Sequence, residues 1–169
     1  MRQQKIGKSN LSGEAFWRFS LAFYSPPGIA DALIALQDRA GLDVNLILFA
    51  LWRGAVHGQR LQASELRAAA AAVAPLRREI VGPLRELRRR LKPVGDADIQ
   101  ALRRRVLGLE LAAERAAQSR LVAIPAAAQR EADRCAAAEA NLLLYLGAEA
   151  ESAEAAVLCR GLHDFLSRG

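Results

Sequence analysis

The chain has few of the residues from which metal centres and many catalytic sites are built. Two cysteines, Cys135 and Cys159, and two histidines, His57 and His163, occur among its 169 residues, and they form neither a CxxC pair nor a Cys/His cluster. A disulfide framework and a structural zinc site are therefore not expected, and both cysteines are expected to be reduced and largely buried. The sequence predicts no metal and no cofactor.

Catalytic signatures are also missing. The chain has no GxSxG, HExxH, Walker or GxGxxG motif, and we identify no catalytic residue. His57 precedes Gly58 at the end of a predicted helix, where a cationic imidazole would suit the helix dipole. Glu110 and Glu114 lie one helical turn apart, a spacing that a metal site could use, but no histidine accompanies them and a solvated ion-pair face is the favoured interpretation. These absences favour a non-enzymatic protein.

Long apolar segments are absent too. The longest apolar runs, 46–52 and 142–146, are far shorter than the roughly 20 residues that cross a bilayer. Residues 1–10 are polar and lead into no apolar segment of the kind found in secretory signals. We therefore expect a cytoplasmic protein without a membrane span.

The fold class follows from the period of the apolar residues. No convincing run alternates between polar and apolar residues, as a half-buried strand would, whereas apolar residues recur at helical spacing. The sequence predicts an all-α protein, a compact single-domain bundle of six to eight helices over residues 12–169, after a flexible polar tail over 1–11. The domain is divided into an aromatic-rich front (12–57), a basic helical hairpin (76–120) and acidic C-terminal helices (125–167).

The helix boundaries are marked by capping residues and breakers. Ser12, Ser25 and Asp43 are the expected N-caps of the first three helices. The first helix is apolar on two faces, which is typical of a helix buried on two sides. The third, from Asp43 to about Val56, is apolar on nearly all sides and is expected at the centre of the fold. Gly82-Pro83 is expected to kink or split a later helix.

Positive charge is concentrated in the basic helical hairpin. Between Leu76 and Arg105 the sequence has ten Arg or Lys against four acids, a balance of +6, which equals the net charge of the whole chain. A solvated face, or one paired with the acidic C-terminal helices, is the favoured interpretation, since no aromatic residue interleaves these arginines for base stacking. Phosphate of a nucleic acid or an acidic partner is the alternative. The candidate residues for that contact are Arg78, Arg85, Arg88 and Arg89.

The junction between the second and third helices combines polar and aromatic residues. Structurally, Asp43 would cap its helix and Asn45 would fix the neighbouring backbone, and this interpretation is favoured. Functionally, the same groups could line a small pocket walled by Trp17, Phe49 and Trp52. The candidate pocket residues are Trp17, Gln37, Asp38, Asp43, Asn45 and Trp52.

Several segments of the chain form a pattern that is seen in a known family. They are Phe16–Tyr24, Pro27–Ala30, Leu36–Asp38 and Asp43–Phe49 with Trp52, followed by Pro83–Arg88 and Glu110–Arg115. In these residues the chain resembles the bacterial family filed as domain of unknown function 2390, most strongly over residues 16–52. The resemblance implies a bacterial cytoplasmic protein and supplies no site, because the family has no established activity.

The absence of a catalytic constellation, beside an unusually aromatic first helix, favours a protein-interaction or adaptor module. Its aromatic front or its basic hairpin would contact a protein partner or a second copy of the chain. Two alternatives stay open. One is a nucleic-acid-associated protein that uses the arginine-rich helix, and the other is a small-ligand binder or enzyme with a pocket at the 37–52 junction.

Overall fold

The computed structural model describes residues 12–125 and 129–168. Within them the chain forms eight α-helices, and its β pairing is limited to one isolated bridge between Gln59 and Arg130, so the all-α prediction is confirmed. The predicted tail, 1–11, lies outside the described residues. The helices are α1 (Gly13–Tyr24), α2 (Ile29–Ala40), α3 (Val44–His57), α4 (Ala63–Leu76), α5 (Gly82–Leu91), α6 (Ala97–Val122), α7 (Arg134–Leu146) and α8 (Ala153–Ser167).

Two of the three predicted N-caps are confirmed. Ser12 accepts a hydrogen bond from the amide three positions on, and Asp43 accepts one from the amide two positions on. The prediction that Ser25 caps α2 is wrong. Helix α2 begins after Gly28, whose φ of 84° is favourable for glycine. Ser25 instead closes the preceding helix, because its hydroxyl donates to the carbonyl of Ala22 over 2.9 Å.

Helix α3 forms the centre of the core, as its sequence predicts. Every residue from Asn45 to Ala55 is buried. Its closest neighbour is α7, and the two backbones come together at Gly54. A Cβ atom added to Gly54 would lie only 2.2 Å from Cα of Ala138. Because any larger residue would collide with backbone at this point, glycine and alanine together allow the close crossing.

Helix α1 is buried on one face, whereas its sequence predicts burial on two. On the inner face, Phe16 stacks on Trp52 with ring centroids 4.9 Å apart, and Phe19 meets Phe165 edge-on at 5.3 Å. On the other face Trp17 is half-buried, and Leu21 is 56% exposed. The second apolar face of α1 is therefore not covered by the bundle.

The predicted interruption near Pro83 takes the form of a π-helical turn, Arg77–Val81, immediately before α5. Proline clashes with the carbonyl four residues before it, which here is that of Glu79, inside the widened turn. None of the residues of α5 is buried. This helix lies on the surface of the bundle rather than in the core.

No single helix among the described residues is long and apolar enough to cross a membrane. Helices α1 and α2 reach that length and composition only as a pair, and the chain bends by 103° between them.

Candidate functional site

The uncovered face of α1 forms one wall of a cavity, which we call the apolar cleft. Helices α1, α2, α3, α5 and α6 surround it, and its volume is about 410 Å³. Large apolar side chains supply most of the walls. They include Trp17, Leu21, Ile34, Leu48, Leu107 and Leu111. Four of these, Leu21, Ile34, Leu107 and Leu111, are between 40% and 56% exposed, so the cleft opens to solvent through an apolar rim.

Four polar side chains at the bottom of the apolar cleft form what we call the polar floor: Ser20, Asn45, Glu114 and Gln118. Gln118 Nε2 donates to Ser20 Oγ and to Asn45 Oδ1, each over 3.0 Å. Asn45 Nδ2 in turn donates to Glu114. The hydrogen bonds therefore join α1, α3 and α6 in one network below the apolar walls.

One atom of the polar floor has no partner. Gln118 is 2% exposed, and among the described residues nothing donates a hydrogen bond to its Oε1. An unsatisfied buried acceptor costs about 1–3 kcal/mol. Such atoms are uncommon in native proteins, and this one belongs to a residue that lines the apolar cleft.

The electrostatics of the polar floor are dominated by burial. Burial raises the pKa of Glu114 above its ordinary value, and the neighbouring carboxylates Asp43 and Glu110 act in the same direction. Arg85 and the hydrogen bond from Asn45 oppose this shift without cancelling it. The pKa of Tyr24, which also lines the cleft, is raised by burial as well.

Beside the polar floor, two arginines of α5 bind carboxylates of α6. Arg88 Nε lies 2.5 Å from Glu110, and Arg85 contacts Glu110 at 3.1 Å and Glu114 at 2.6 Å. Arg85 Nη1 also donates to Gln37 of α2. Burial alone would raise the pKa of Glu110, but the hydrogen bonds from Arg88 and Arg85 outweigh it and hold that pKa below its ordinary value. This network is the main polar attachment of α5.

The structure changes the interpretation of the arginine-rich helix. Its partner acids come from α6 and α2, whereas the sequence predicted the C-terminal helices as the counterpart. Arg89 pairs with Asp38 at 3.1 Å, and Arg78 pairs with its neighbour Glu79 at the surface. Glu110 was expected on a solvated face but is 5% exposed, because the arginines of α5 cover it.

A second cavity, which we call the basic cleft, lies on the other side of Arg85 and Gln37. Its volume is about 620 Å³, and α2, α3, α4, the π-helical turn, α5 and α7 contribute to it. Asp38, Asp43, Arg78 and Arg89 of the predicted sets line it together with Arg77, which donates to the carbonyl of Gly41 over 2.9 Å. The candidate pocket residues and the candidate arginines were predicted separately, but both sets contribute to the two clefts beside α5.

The candidate pocket residues divide among three places. Trp17 and Asn45 line the apolar cleft, Asp38 and Asp43 line the basic cleft, and Gln37 lines both. Trp52 lines neither, because it is fully buried and stacked on Phe16.

Two further expectations about the pocket are corrected. Phe49 is also fully buried in the core and forms no wall of either cavity. Asn45 bonds to side chains of α6 through its amide, whereas it was expected to fix the neighbouring backbone.

Three polar-floor residues, Ser20, Glu114 and Gln118, were missed as pocket residues. Ser20 and Gln118 do leave a signal in the sequence. Ser20 follows Phe16 by one helical turn on a face that otherwise carries phenylalanine, and Gln118 occurs in the alanine-rich end of α6. A lone polar residue in such surroundings indicates a buried hydrogen bond, but not its partner.

The expected role of His57 is not supported. Burial, together with the charges of Arg53, Arg130 and Arg134, lowers its pKa to about 4, so the imidazole is neutral at pH 7. Its ring meets Trp52 edge-on at 4.6 Å. Over 12–125 and 129–168, no group of three or more His, Cys, Asp and Glu side chains is placed to hold a metal ion.

Comparison with known proteins adds the family. The family model described as "Protein of unknown function (DUF2390)" matches residues 15–121, which confirms the resemblance seen in the sequence. All the residues that line the apolar cleft fall inside this range, whereas α7 and α8 fall outside it. No curated protein and no solved structure matches the chain.

Proposed function

The chain belongs to the DUF2390 family of proteins of unknown function, and we propose that it is a small-molecule-binding protein whose site is the apolar cleft. The observation that carries this proposal is the buried, unpartnered Oε1 of Gln118, a residue that lines this cavity. A ligand that donates a hydrogen bond there would remove the cost of leaving that atom unsatisfied.

The size and chemistry of the apolar cleft support the proposal. Its 410 Å³ falls within the roughly 300–1,000 Å³ that is usual for small-molecule sites. Such sites combine apolar walls with a few converging polar groups, and titratable groups with a displaced pKa are common in them. Glu114 is such a group, and the exposed leucines of the rim would be covered by a bound apolar molecule.

A matched pair of substitutions on α6 tests the proposal. Leu111 lines the apolar cleft, whereas Leu109 is 60% exposed and lines neither cavity. Leu111→Trp should fill the cleft and weaken the binding of a neutral solvatochromic dye at least tenfold, while Leu109→Trp should change it less than twofold. Equal affinity of both variants for the dye would refute the proposal.

Native mass spectrometry of the full chain, purified without denaturation, gives a second measurement. We expect a small-molecule adduct that is present on the wild-type protein and on Leu109→Trp but lost from Leu111→Trp. An adduct that survived in Leu111→Trp would place the bound molecule elsewhere.

The apolar rim supports a second candidate function, the protein-interaction module that the sequence favours. Leu21 of α1 and Ile34 of α2 lie on the rim, with 56% and 46% of their surface exposed. If the rim contacts a second copy, the chain should sediment as a dimer and Leu21→Glu should make it a monomer. A wild-type chain that stayed monomeric at all concentrations would exclude self-association through the rim.

The nucleic-acid alternative has less support. All four candidate arginines, Arg78, Arg85, Arg88 and Arg89, already contact carboxylates of this chain. A phosphate would have to displace those carboxylates. Binding of a labelled oligonucleotide that fell steeply with salt would revive this alternative.

A further inference from the structure

The orientation of the Gln118 amide follows from its neighbours. Glu114 accepts hydrogen bonds from Arg85 and Asn45, so Asn45 must direct Nδ2 toward it and Oδ1 toward Gln118. Because Asn45 Oδ1 can only accept, Gln118 must present Nε2 there. Gln118 Oε1 is therefore the atom that is left without a partner, on a residue that lines the cavity.

Spare acceptors outnumber spare donors in the polar floor. Gln118 uses both amide hydrogens, on Ser20 and Asn45, and Ser20 donates its hydroxyl hydrogen to the carbonyl of Phe16 over 2.9 Å. Gln118 Oε1 accepts nothing, and Glu114 accepts from Arg85 and Asn45, although a carboxylate can accept about four hydrogen bonds. A ligand group that donates hydrogen bonds fits this floor better than one that accepts them.

The charged residues that line the cleft are three arginines, Arg85, Arg88 and Arg89, and two carboxylates, Glu110 and Glu114. Arg85 donates one hydrogen bond from each nitrogen of its guanidinium, to Glu110, Gln37 and Glu114, so three of its five N–H groups are already committed within the chain. Arg88 gives two hydrogen bonds to Glu110. Glu114, in contrast, has one cationic partner and is disfavoured as an anion by burial. A second cation beside Glu114 would offset that burial.

The aromatic residues of the apolar cleft fit such a ligand as well. Trp17 and Tyr24 both line the cavity. The Trp17 ring already attracts one cation, because the guanidinium of Arg115 lies 5.3 Å from its centroid, and the other ring, that of Tyr24, is of the type that attracts an ammonium group. The leucines of the rim would cover an alkyl or aryl body.

Building on the proposed small-molecule function, we infer that the apolar cleft binds a protonated amine carried on an apolar body. The ammonium N–H groups would donate to Gln118 Oε1 and Glu114, and the apolar body would lie between Trp17, Leu21 and Leu111.

The inference is tested by competition between molecules that differ only in their head group. Octylamine, 1-octanol and octanoate are each used to displace the neutral dye from the full-length wild-type protein. We expect octylamine to displace it at a concentration at least tenfold lower than octanoate and at least threefold lower than 1-octanol. Octanoate binding as tightly as octylamine would overturn the inference, because the arginines would then be the recognising groups.

Two further measurements separate charge from hydrogen bonding. Trimethyloctylammonium carries the charge of octylamine without an N–H group, and we expect it to bind at least tenfold more weakly; equal affinity would overturn the role of Gln118 Oε1. Glu114→Gln should reduce the preference for octylamine over 1-octanol to less than twofold. An unchanged preference in that variant would overturn the role of Glu114, and the trimethyl comparison needs no variant to fold.

The result also distinguishes this inference from the proposal beneath it. If the dye binds in the apolar cleft but all three head groups displace it equally, the amine inference fails and small-molecule binding stands. If Leu111→Trp leaves dye binding unchanged, the amine inference and the small-molecule proposal both fail.

Discussion

Gln118 Nε2 donates a hydrogen bond to Asn45 Oδ1 over 3.0 Å, although the two residues are 73 positions apart in the chain. Both are buried, and the bond ties α6 to the first turn of α3. Through Ser20 the same amide also holds α1. The floor of the apolar cleft is therefore also a structural joint between three helices, so a substitution there changes stability as well as binding.

Gln118→Leu should lower the free energy of unfolding. The leucine fills a similar volume but leaves Asn45 Oδ1 buried without a donor, which costs about 1–2 kcal/mol after the gain from removing the unpartnered Oε1. Denaturant titration measures the change. Ser119→Ala, at the exposed neighbouring position, should stay within about 0.5 kcal/mol of the wild type. If Gln118→Leu lowered the free energy of unfolding by less than about 0.5 kcal/mol, the hydrogen bonds of Gln118 would contribute little to stability.

Glu110→Gln should loosen α5. Glu110 is the shared partner of Arg85 and Arg88, which are only 23% and 25% exposed, so its loss should cost about 1–3 kcal/mol. Since α5 has no buried residue, the effect should concentrate in faster hydrogen exchange of its amides. Glu86→Gln on the same helix is the control: its pair with Arg90 is more than half exposed on both sides and contributes about 0.3–0.5 kcal/mol. Equal hydrogen exchange of the α5 amides in Glu110→Gln and Glu86→Gln would contradict the role of Glu110 in holding α5.

The fold could be predicted from the sequence because its determinants are local. Helical spacing of apolar residues, the Asp43 cap and the all-round apolar character of α3 each act within one helix, and the structure agrees with all three. Ser25 was misplaced because serine hydroxyls also bond backward, to carbonyls already in the helix, and Gly28 offers an alternative start.

The site could be predicted only in part, since its geometry depends on which helices meet. Trp17 and Asn45 were expected in a pocket and do line one, but Trp52 points into the core from the same helix as Asn45. Glu110 and Glu114 look like a solvated pair in the sequence. Only the position of α5, fixed by the π-helical turn, shows that arginines cover them.

His57 should make the protein less stable in mild acid. Its pKa is about 4 in the folded state against an ordinary 6.5, so the unfolded chain binds the proton more readily between these values. The free energy of unfolding should therefore fall as the pH is lowered from about 6.5 to 4, by roughly 3 kcal/mol from this group. His57→Gln should flatten this part of the profile, measured by denaturant titration across the pH range. A profile that stayed as steep in His57→Gln as in the wild type would refute the assignment to His57.

Two glycine-to-alanine substitutions should have opposite effects because their surroundings differ. At Gly54 the new Cβ would lie 2.2 Å from backbone atoms of Ala138, and neither helix can yield without separating α3 from α7. Gly54→Ala should therefore cost at least about 3 kcal/mol, the upper end of the usual range for overpacking. Gly108 is exposed on α6 with nothing within 4 Å, so Gly108→Ala should stabilise the protein by about 0.5–1 kcal/mol through helix propensity alone. Thermal unfolding of the two variants measures both effects, and a small loss in Gly54→Ala would mean that the two helices can separate at little cost.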